Sequence, residues 1–279
     1  MKRFSVRYLP TILLHYTFLL LFVLFILLPL TVVVFSSFRP ATSIALNPMI
    51  FPEDATFETL RKVWETGRMG RYAINSIIVI IPRVFFVLAF SSMAGYAFAK
   101  LKFIGKNGLY MYMLIGLIIP FQAVMIPLYY SLQRLGVANS YMGLVFPAVG
   151  LCVPFAILYM RAFYTDLPDD LIEASKIDGC GAYGSFFHIM LPLSKGGITS
   201  LVVFQFLWGW NEFQLPLLLI TDENMRTLPL AITFFTGKFS SQPPLIAACV
   251  TLTSLPIIFV FILFQRTFTE GITSGAIKG

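Results

Sequence analysis

The sequence predicts an all-α fold: a polytopic membrane helix bundle with about six transmembrane helices and a helical loop between the fourth and the fifth. Three observations carry this expectation. The 279 residues are 58% hydrophobic and 12% charged, with a mean hydropathy of +0.83, whereas soluble domains run near a quarter charged. Six separate stretches reach the roughly 20 mostly apolar residues that cross a bilayer. Lysine and arginine gather in alternate short loops between those stretches, as they do on the cytoplasmic side of membrane proteins.

The first span runs from about Ile12 to Phe35 and follows Lys2, Arg3 and Arg7. That beginning is like a signal peptide, but the apolar run is too long for one and no small-x-small site follows Phe35, so a retained helix is expected. The second span, from about Tyr72 to Phe98, carries Arg83 and stops before Lys100, Lys102 and Lys106. The third runs from about Leu109 to Tyr130 and the fourth from about Tyr141 to Phe163. The fifth, from about Ile198 to Ile220, contains Trp208, Trp210 and Glu212, and the sixth runs from about Leu245 to Phe264. Residues 1–11 are then an N-terminal segment, 12–266 the membrane domain with a loop at about 164–195, and 267–279 a C-terminal tail.

The basic clusters before span one and between spans two and three, against the lone Arg134 between spans three and four, put both termini in the cytoplasm. The segment from Arg39 to Arg71, with five basic and four acidic residues, is then outside; its mixed charge argues against this only weakly, because long loops count for little. Every span carries proline: Pro29, Pro82, Pro120 and Pro127, Pro147 and Pro154, Pro216, and Pro256. Proline removes a backbone donor and bends a helix, so prolines throughout predict a bundle that bends or moves. Proline is also simply frequent in membrane helices.

Several function classes are excluded. The net charge of +7 comes without a basic stripe interleaved with aromatics, so nucleic acid is not a partner. Cys152, Cys180 and Cys249 show no ligand or disulfide spacing, and His15 and His188 lie far apart, so no metal site is indicated. No phosphate-binding glycine loop and no nucleophile elbow occur. The chain is therefore expected not to be an enzyme and to bind no cofactor, and any nucleotide energy must come from another chain.

The loop between spans four and five reads as two short helices. Asp166 is the expected N-cap of the first, Pro168 suits its first turn, and Asp169 and Asp170 favour the positive end of the dipole. Gly179 fits a left-handed stop. Leu167, Leu171 and Ala174 share one face. A second helix, from about Ala182 to Met190, is expected to end at Pro192. Ala174 and Ser175 are small enough for another surface to approach the backbone.

This stretch closely resembles the EAA loop of ABC importer membrane subunits. That pattern is Glu-Ala-Ala, three residues, Gly, nine residues, Ile, one residue, Leu-Pro. Here it stands as Glu173-Ala174-Ser175, Gly179, Ile189 and Leu191-Pro192, with every spacing kept and Ser175 in place of the second alanine. Trp210-Asn211-Glu212-Phe213, Ile126-Pro127-Leu128-Tyr129 and the ending from Gln265-Arg266 to Gly275-Ala276-Ile277-Lys278-Gly279 are similar to the smaller permease subunit of maltose-type carbohydrate importers. The resemblance implies a cytoplasmic coupling helix seated in a cleft of a separate ABC ATPase dimer, which uses ATP and Mg. It also implies a second permease subunit, an extracytoplasmic solute-binding protein, a sugar substrate and a bacterial or archaeal cytoplasmic membrane. It carries Glu173, Ala174, Ser175, Asp178 and Gly179 over as ATPase-docking residues, and adds Lys278 and Gly279 of the tail.

Ionisable residues inside spans are costly and face a cavity or a partner. From the expected outer ends, Arg83 lies about 16 Å deep and Glu212 about 12 Å, at about 1.5 Å per residue. Three readings stand: a structural Arg83–Glu212 ion pair; a sugar path lined by Glu212, Asn211, Gln214 and Arg83 with Trp210 or Trp208 stacking on a sugar face; or a Glu212 that snorkels to the outer interface. A secondary transporter would need ion-coupling carboxylates and inverted repeats, and a structural membrane protein would need no ordered docking loop. A glycerol phosphate importer would want more basic residues along its path than Arg83 alone.

Overall fold

In the computed structural model, residues 9–43, 47–236 and 242–276 are described, with side chains for 13–43, 47–236 and 242–265. The described residues fall into two compact units: Met1–Met69 with Ala231–Leu255, and Gly70–Leu230 with Pro256–Gly279.

The first unit holds α1 (Leu9–Ser37), α2 (Glu58–Thr66) and the four-residue α11 (Ile232–Phe235). Helix α1 is apolar along its length and buries none of its most apolar window within the chain, which is the signature of a helix facing lipid or another subunit. Its end is fastened by Thr56, whose amide donates to the Phe38 carbonyl at 2.8 Å, and by Thr59 Oγ1, which donates to the Arg39 carbonyl at 2.6 Å.

The second unit is built around α6 (Tyr141–Asp166). Leu144, Ala148, Cys152, Ala156, Met160 and Tyr164 recur at every fourth residue, and all are buried. This i+4 row is a ridge that neighbouring helices can straddle. Around it stand α3 (Met69–Lys100), α4 (Lys106–Ile118), α5 (Phe121–Arg134), α9 (Lys195–Trp210) and α10 (Gln214–Leu219). Gly95 of α3 sits so close to α6 that a Cβ there would lie 2.7 Å from Met160 Cβ and 2.9 Å from the Arg161 amide.

Four described helices are long and apolar enough to span a membrane, and two bent helix pairs raise the number to six. The first, second, fourth and sixth expected spans are single helices; the sixth, α12 (Pro243–Ala276), runs ten residues past the expected boundary at 266. The third is broken between α4 and α5 by 97°. Pro120 forces Ile119 into extended backbone, φ −75° and ψ 115°, because its ring crowds the α conformation of the residue before it. The fifth expected span is corrected too. Its helix α9 ends at Trp210, and a separate short α10 follows. Pro216 cannot donate to the Glu212 carbonyl, and its ring would strike it. The other prolines within spans lie inside continuous helices.

Candidate functional site: the interhelical loop and the Arg83 cavity

The loop after α6 folds as α7 (Asp170–Ile177) and α8 (Ala182–Leu193). Asp166, expected as the N-cap of α7, is the last residue of α6, because nothing before Pro168 interrupts the long helix. Asp169 takes the N-cap position, and Asp170 and Glu173 complete an acidic first turn that suits the helix dipole. The other end closes as a Schellman motif. Gly179, at φ +83°, donates to the Lys176 carbonyl at 3.0 Å, and Cys180 donates to the Ser175 carbonyl at 2.9 Å.

The face assignment changes. The buried residues of α7 are Ile172 and Ser175; Leu167 and Leu171 are half-buried and Ala174 is exposed. Ser175, carried over as a docking residue, points inward. It is 1% exposed, donates to the Ile172 carbonyl at 2.7 Å and lies 2.6 Å from Ser185 Oγ on α8. A small residue is needed here because two helices touch, not because an outside surface arrives. Glu173, Ala174, Asp178 and Gly179 are exposed, as are Ile177 and Tyr183. Helix α8 does not stop at Pro192 but reaches Leu193, through a π turn over Phe186–Met190. Pro192 has no amide for the His188 carbonyl, and the wider turn moves that carbonyl clear of its ring.

Two devices hold this loop to the bundle. Ile172, Phe186 and Met190 are buried in one core with Tyr96 and Tyr164, and each such side chain is worth about 1.5–3 kcal/mol on transfer from water. Lys100, the last residue of α3, supplies the other. Its side chain is 5% exposed, and its ammonium donates to the Leu167 carbonyl at the end of α6 and to Asp169 Oδ1. That hydrogen bond, and then the ammonium's charge, hold the Asp169 carboxyl below the usual carboxylate range. A depressed carboxyl adds stability above its unfolded pKa, and the contribution fades as pH falls through the lowered folded value. Sequence reasoning took Lys100 as a topology signal only and missed Ser185, whose neighbours are set by tertiary packing.

The second constellation lies around Arg83, which is 3% exposed on α3. Among the described residues it forms no ion pair with Glu212. Its Nη2 donates to Cys152 Sγ at 3.1 Å, and its Nε is buried without a protein partner. Glu212 turns to the helix break instead, where Oε1 accepts from the Leu215 amide at 3.1 Å and caps α10. Arg83 and Glu212 nevertheless share the walls of two spaces. One is a gap of about 10 Å³, also bounded by Ser76 and Thr227. The other is a cavity of about 270 Å³, also lined by Gln214, Cys152 and Phe121. Gln122 Nε2 makes a long 3.5 Å contact to Gln214 Oε1. Asn211 is exposed and donates to the Leu207 carbonyl at 2.9 Å. Trp210 is 3% exposed and stacks on Phe206, so its face is not presented to the cavity; Trp208 is 44% exposed. Lys278 and Gly279 lie outside the described residues.

Comparison with known proteins agrees with this architecture. Residues 88–274 match the family described as the binding-protein-dependent transport system inner membrane component. The chain is 35% identical over 255 residues to the arabinooligosaccharides transport system permease protein AraQ of Halalkalibacterium halodurans, covering 90% of this chain and 91% of that one. It is 31% identical to the trehalose transport system permease protein SugB of Mycobacterium tuberculosis, with 91% and 93% covered. Among solved structures, a bacterial ABC transporter involved in the import of the acidic polysaccharide alginate has the same fold. Its TM-score is 0.82 at 18% identity, over 96% of this chain and 100% of that one.

Proposed function

The chain belongs to the family of binding-protein-dependent transport system inner membrane components, and from that membership we propose that it is the permease subunit through which an ATP-driven importer moves a sugar or oligosaccharide. The observation that carries the reading is the ordered α7: an eight-residue helix with an acidic first turn, a glycine-closed end, a buried inner face at Ile172 and Ser175 and an outer face at Glu173, Ala174 and Asp178. A short helix pinned to the spans on one side and exposed on the other suits a handle for an outside motor. In this reading α7 lies in the cytoplasm with both termini and docks on an ABC ATPase dimer, which binds ATP and Mg while this chain binds neither. Glu173, Ala174, Asp178 and Gly179 form the docking surface, with Lys278 and Gly279 of the tail adding to it. Ser175 supports that surface from beneath.

A second permease completes the pore as a heterodimer, and an extracytoplasmic binding protein delivers the solute. Permeases named for arabinooligosaccharides and trehalose are relatives of this chain, which supports a carbohydrate substrate. The cavity wall holds one cation, Arg83, and one carboxylate, Glu212, which suits a neutral polar solute better than a phosphate ester.

The test is transport in a strain carrying all the other subunits. Glu173→Lys and Gly179→Pro are expected to abolish sugar uptake and ATPase co-purification while the chain still inserts. Uptake retained in both variants overturns the proposal.

A further inference from the structure

The basic run Lys100, Lys102 and Lys106 was read from the sequence as a marker of membrane side, yet the structure gives its members different surroundings. Lys102 is exposed. Lys106 Nζ donates to the Leu101 carbonyl at 2.9 Å, closing the end of α3. Of the three, it is Lys100 that reaches the end of α6 and the start of α7.

Lys100 stands where three helices meet. It ends α3, it donates to the carbonyl that follows the last residue of α6, and it pairs with the N-cap residue of α7. One ammonium thus satisfies an unpaired carbonyl at the negative end of α6 and the carboxylate at the start of α7. Its stem is enclosed while Asp169 is 80% exposed, so the lysine is fixed by the bundle and the aspartate belongs to the loop. The apolar attachment through Ile172, Phe186 and Met190 resists pulling α7 away from the core, but dispersion contacts have little directionality. An enclosed ammonium hydrogen-bonded both to the end of α6 and to the start of α7 sets the direction in which α7 can move without moving α3.

We propose that Lys100 is a positioning residue of the transport cycle, the tether through which displacement of α7 is passed to the ends of α3 and α6. The inference rests on α7 being the helix that meets the ATPase. Without the tether, α7 follows its motor while the spans respond less, so ATP is spent without transport.

The experiment uses the complete transporter in proteoliposomes, measuring uptake and ATP hydrolysis in the same sample. In Lys100→Met, solute moved per ATP is expected to fall about fivefold or more, the lower range of coupling between two sites, while hydrolysis continues. Lys100→Arg, whose guanidinium can serve both acceptors, is expected to keep most of the ratio. Asp169→Asn alters an exposed side chain and leaves the Leu167 carbonyl bond, so a smaller loss in the same direction is expected. A ratio unchanged in Lys100→Met, with the ATPase still co-purifying, overturns the tether and leaves the docking reading intact. If Lys100→Met does not assemble, Asp169→Asn decides, and its unchanged ratio overturns the tether equally. A wild-type chain that never retains an ATPase overturns the reading of α7, and the tether falls with it.

Discussion

Gly179→Ala separates what the backbone contributes at the end of α7 from what packing contributes. A Cβ at this position would meet nothing within 4 Å, so no steric term enters. What remains is the left-handed conformation, φ +83°, which costs a non-glycine residue about 1–2 kcal/mol. That corresponds to roughly a five- to thirtyfold rise in opening of the final turn. Asparagine tolerates this region better than alanine and is expected to fall between glycine and alanine. Proline is far worse, because it fixes φ near −65° and deletes the amide that donates to the Lys176 carbonyl at 3.0 Å. Hydrogen exchange measured by mass spectrometry on the solubilised protein reads this directly. Peptides covering Asp170 to Cys180 should lose protection in the order Gly, Asn, Ala, Pro, and peptides from the α6 ridge should not change. Equal protection in the glycine and alanine forms, or a loss that spreads into α6, refutes the reasoning.

Other positions give equally direct tests. Ser175→Ala restores the family's usual residue and leaves Ser185 its bond to the Gly181 carbonyl at 3.2 Å, so it should cost about 1 kcal/mol or less in thermal unfolding. Ser175→Leu overfills a site that is 1% exposed and should cost about 1–3 kcal/mol along with ATPase co-purification. Gly95→Ala on α3 drives a methyl group to 2.9 Å from the Arg161 amide and should lower stability by about 1–3 kcal/mol, whereas Gly150→Ala on α6, with open space around it, should be neutral or slightly stabilising. Arg83→Gln and Glu212→Gln share no hydrogen bond but line one cavity, so a double-mutant cycle on stability should give a modest coupling of about 0.5–1 kcal/mol, and a coupling of about 3 kcal/mol or more, as for a buried ion pair, refutes the unpaired geometry.

The spans were legible because hydropathy over some 20 residues is a property of the segment itself. The breaks were not. Pro120 and Pro216 stand at interruptions, while Pro29, Pro82, Pro127, Pro147, Pro154 and Pro256 lie inside helices. Whether a freed carbonyl is satisfied by a neighbouring helix decides between those fates, and that is a tertiary matter. The loop after α6 was legible in its spacing and in its glycine stop, since a left-handed closure leaves a residue-specific mark. Its facing was not, because the pairs Leu171 and Ala174, and Ile172 and Ser175, are both spaced for one face of a short helix. Only tertiary packing selects the second pair, through Ser185 of α8 for Ser175 and through the core shared with Tyr96 and Tyr164 for Ile172. Lys100 shows a further limit: charge counting places a lysine on one side of a membrane but says nothing of the acceptors it finds there.

The two constellations differ in how much chemistry they hold. The loop is over-determined, with a Schellman closure, a serine pair, a buried apolar face and an ion pair acting on one eight-residue helix. The cavity beside Arg83 offers few polar side chains, namely Arg83, Glu212 and Gln214, and Glu212 already spends an oxygen capping α10. A sugar carries many hydroxyls, and a site that leaves them unpaired pays for each one. This wall alone is therefore too sparse to select a sugar tightly, and weak binding is what a translocation path requires if the solute is to leave it. In the proposed transporter, selectivity must then rest with the second permease or the solute-binding protein, and the sequence of this chain specifies how force arrives more fully than what is carried.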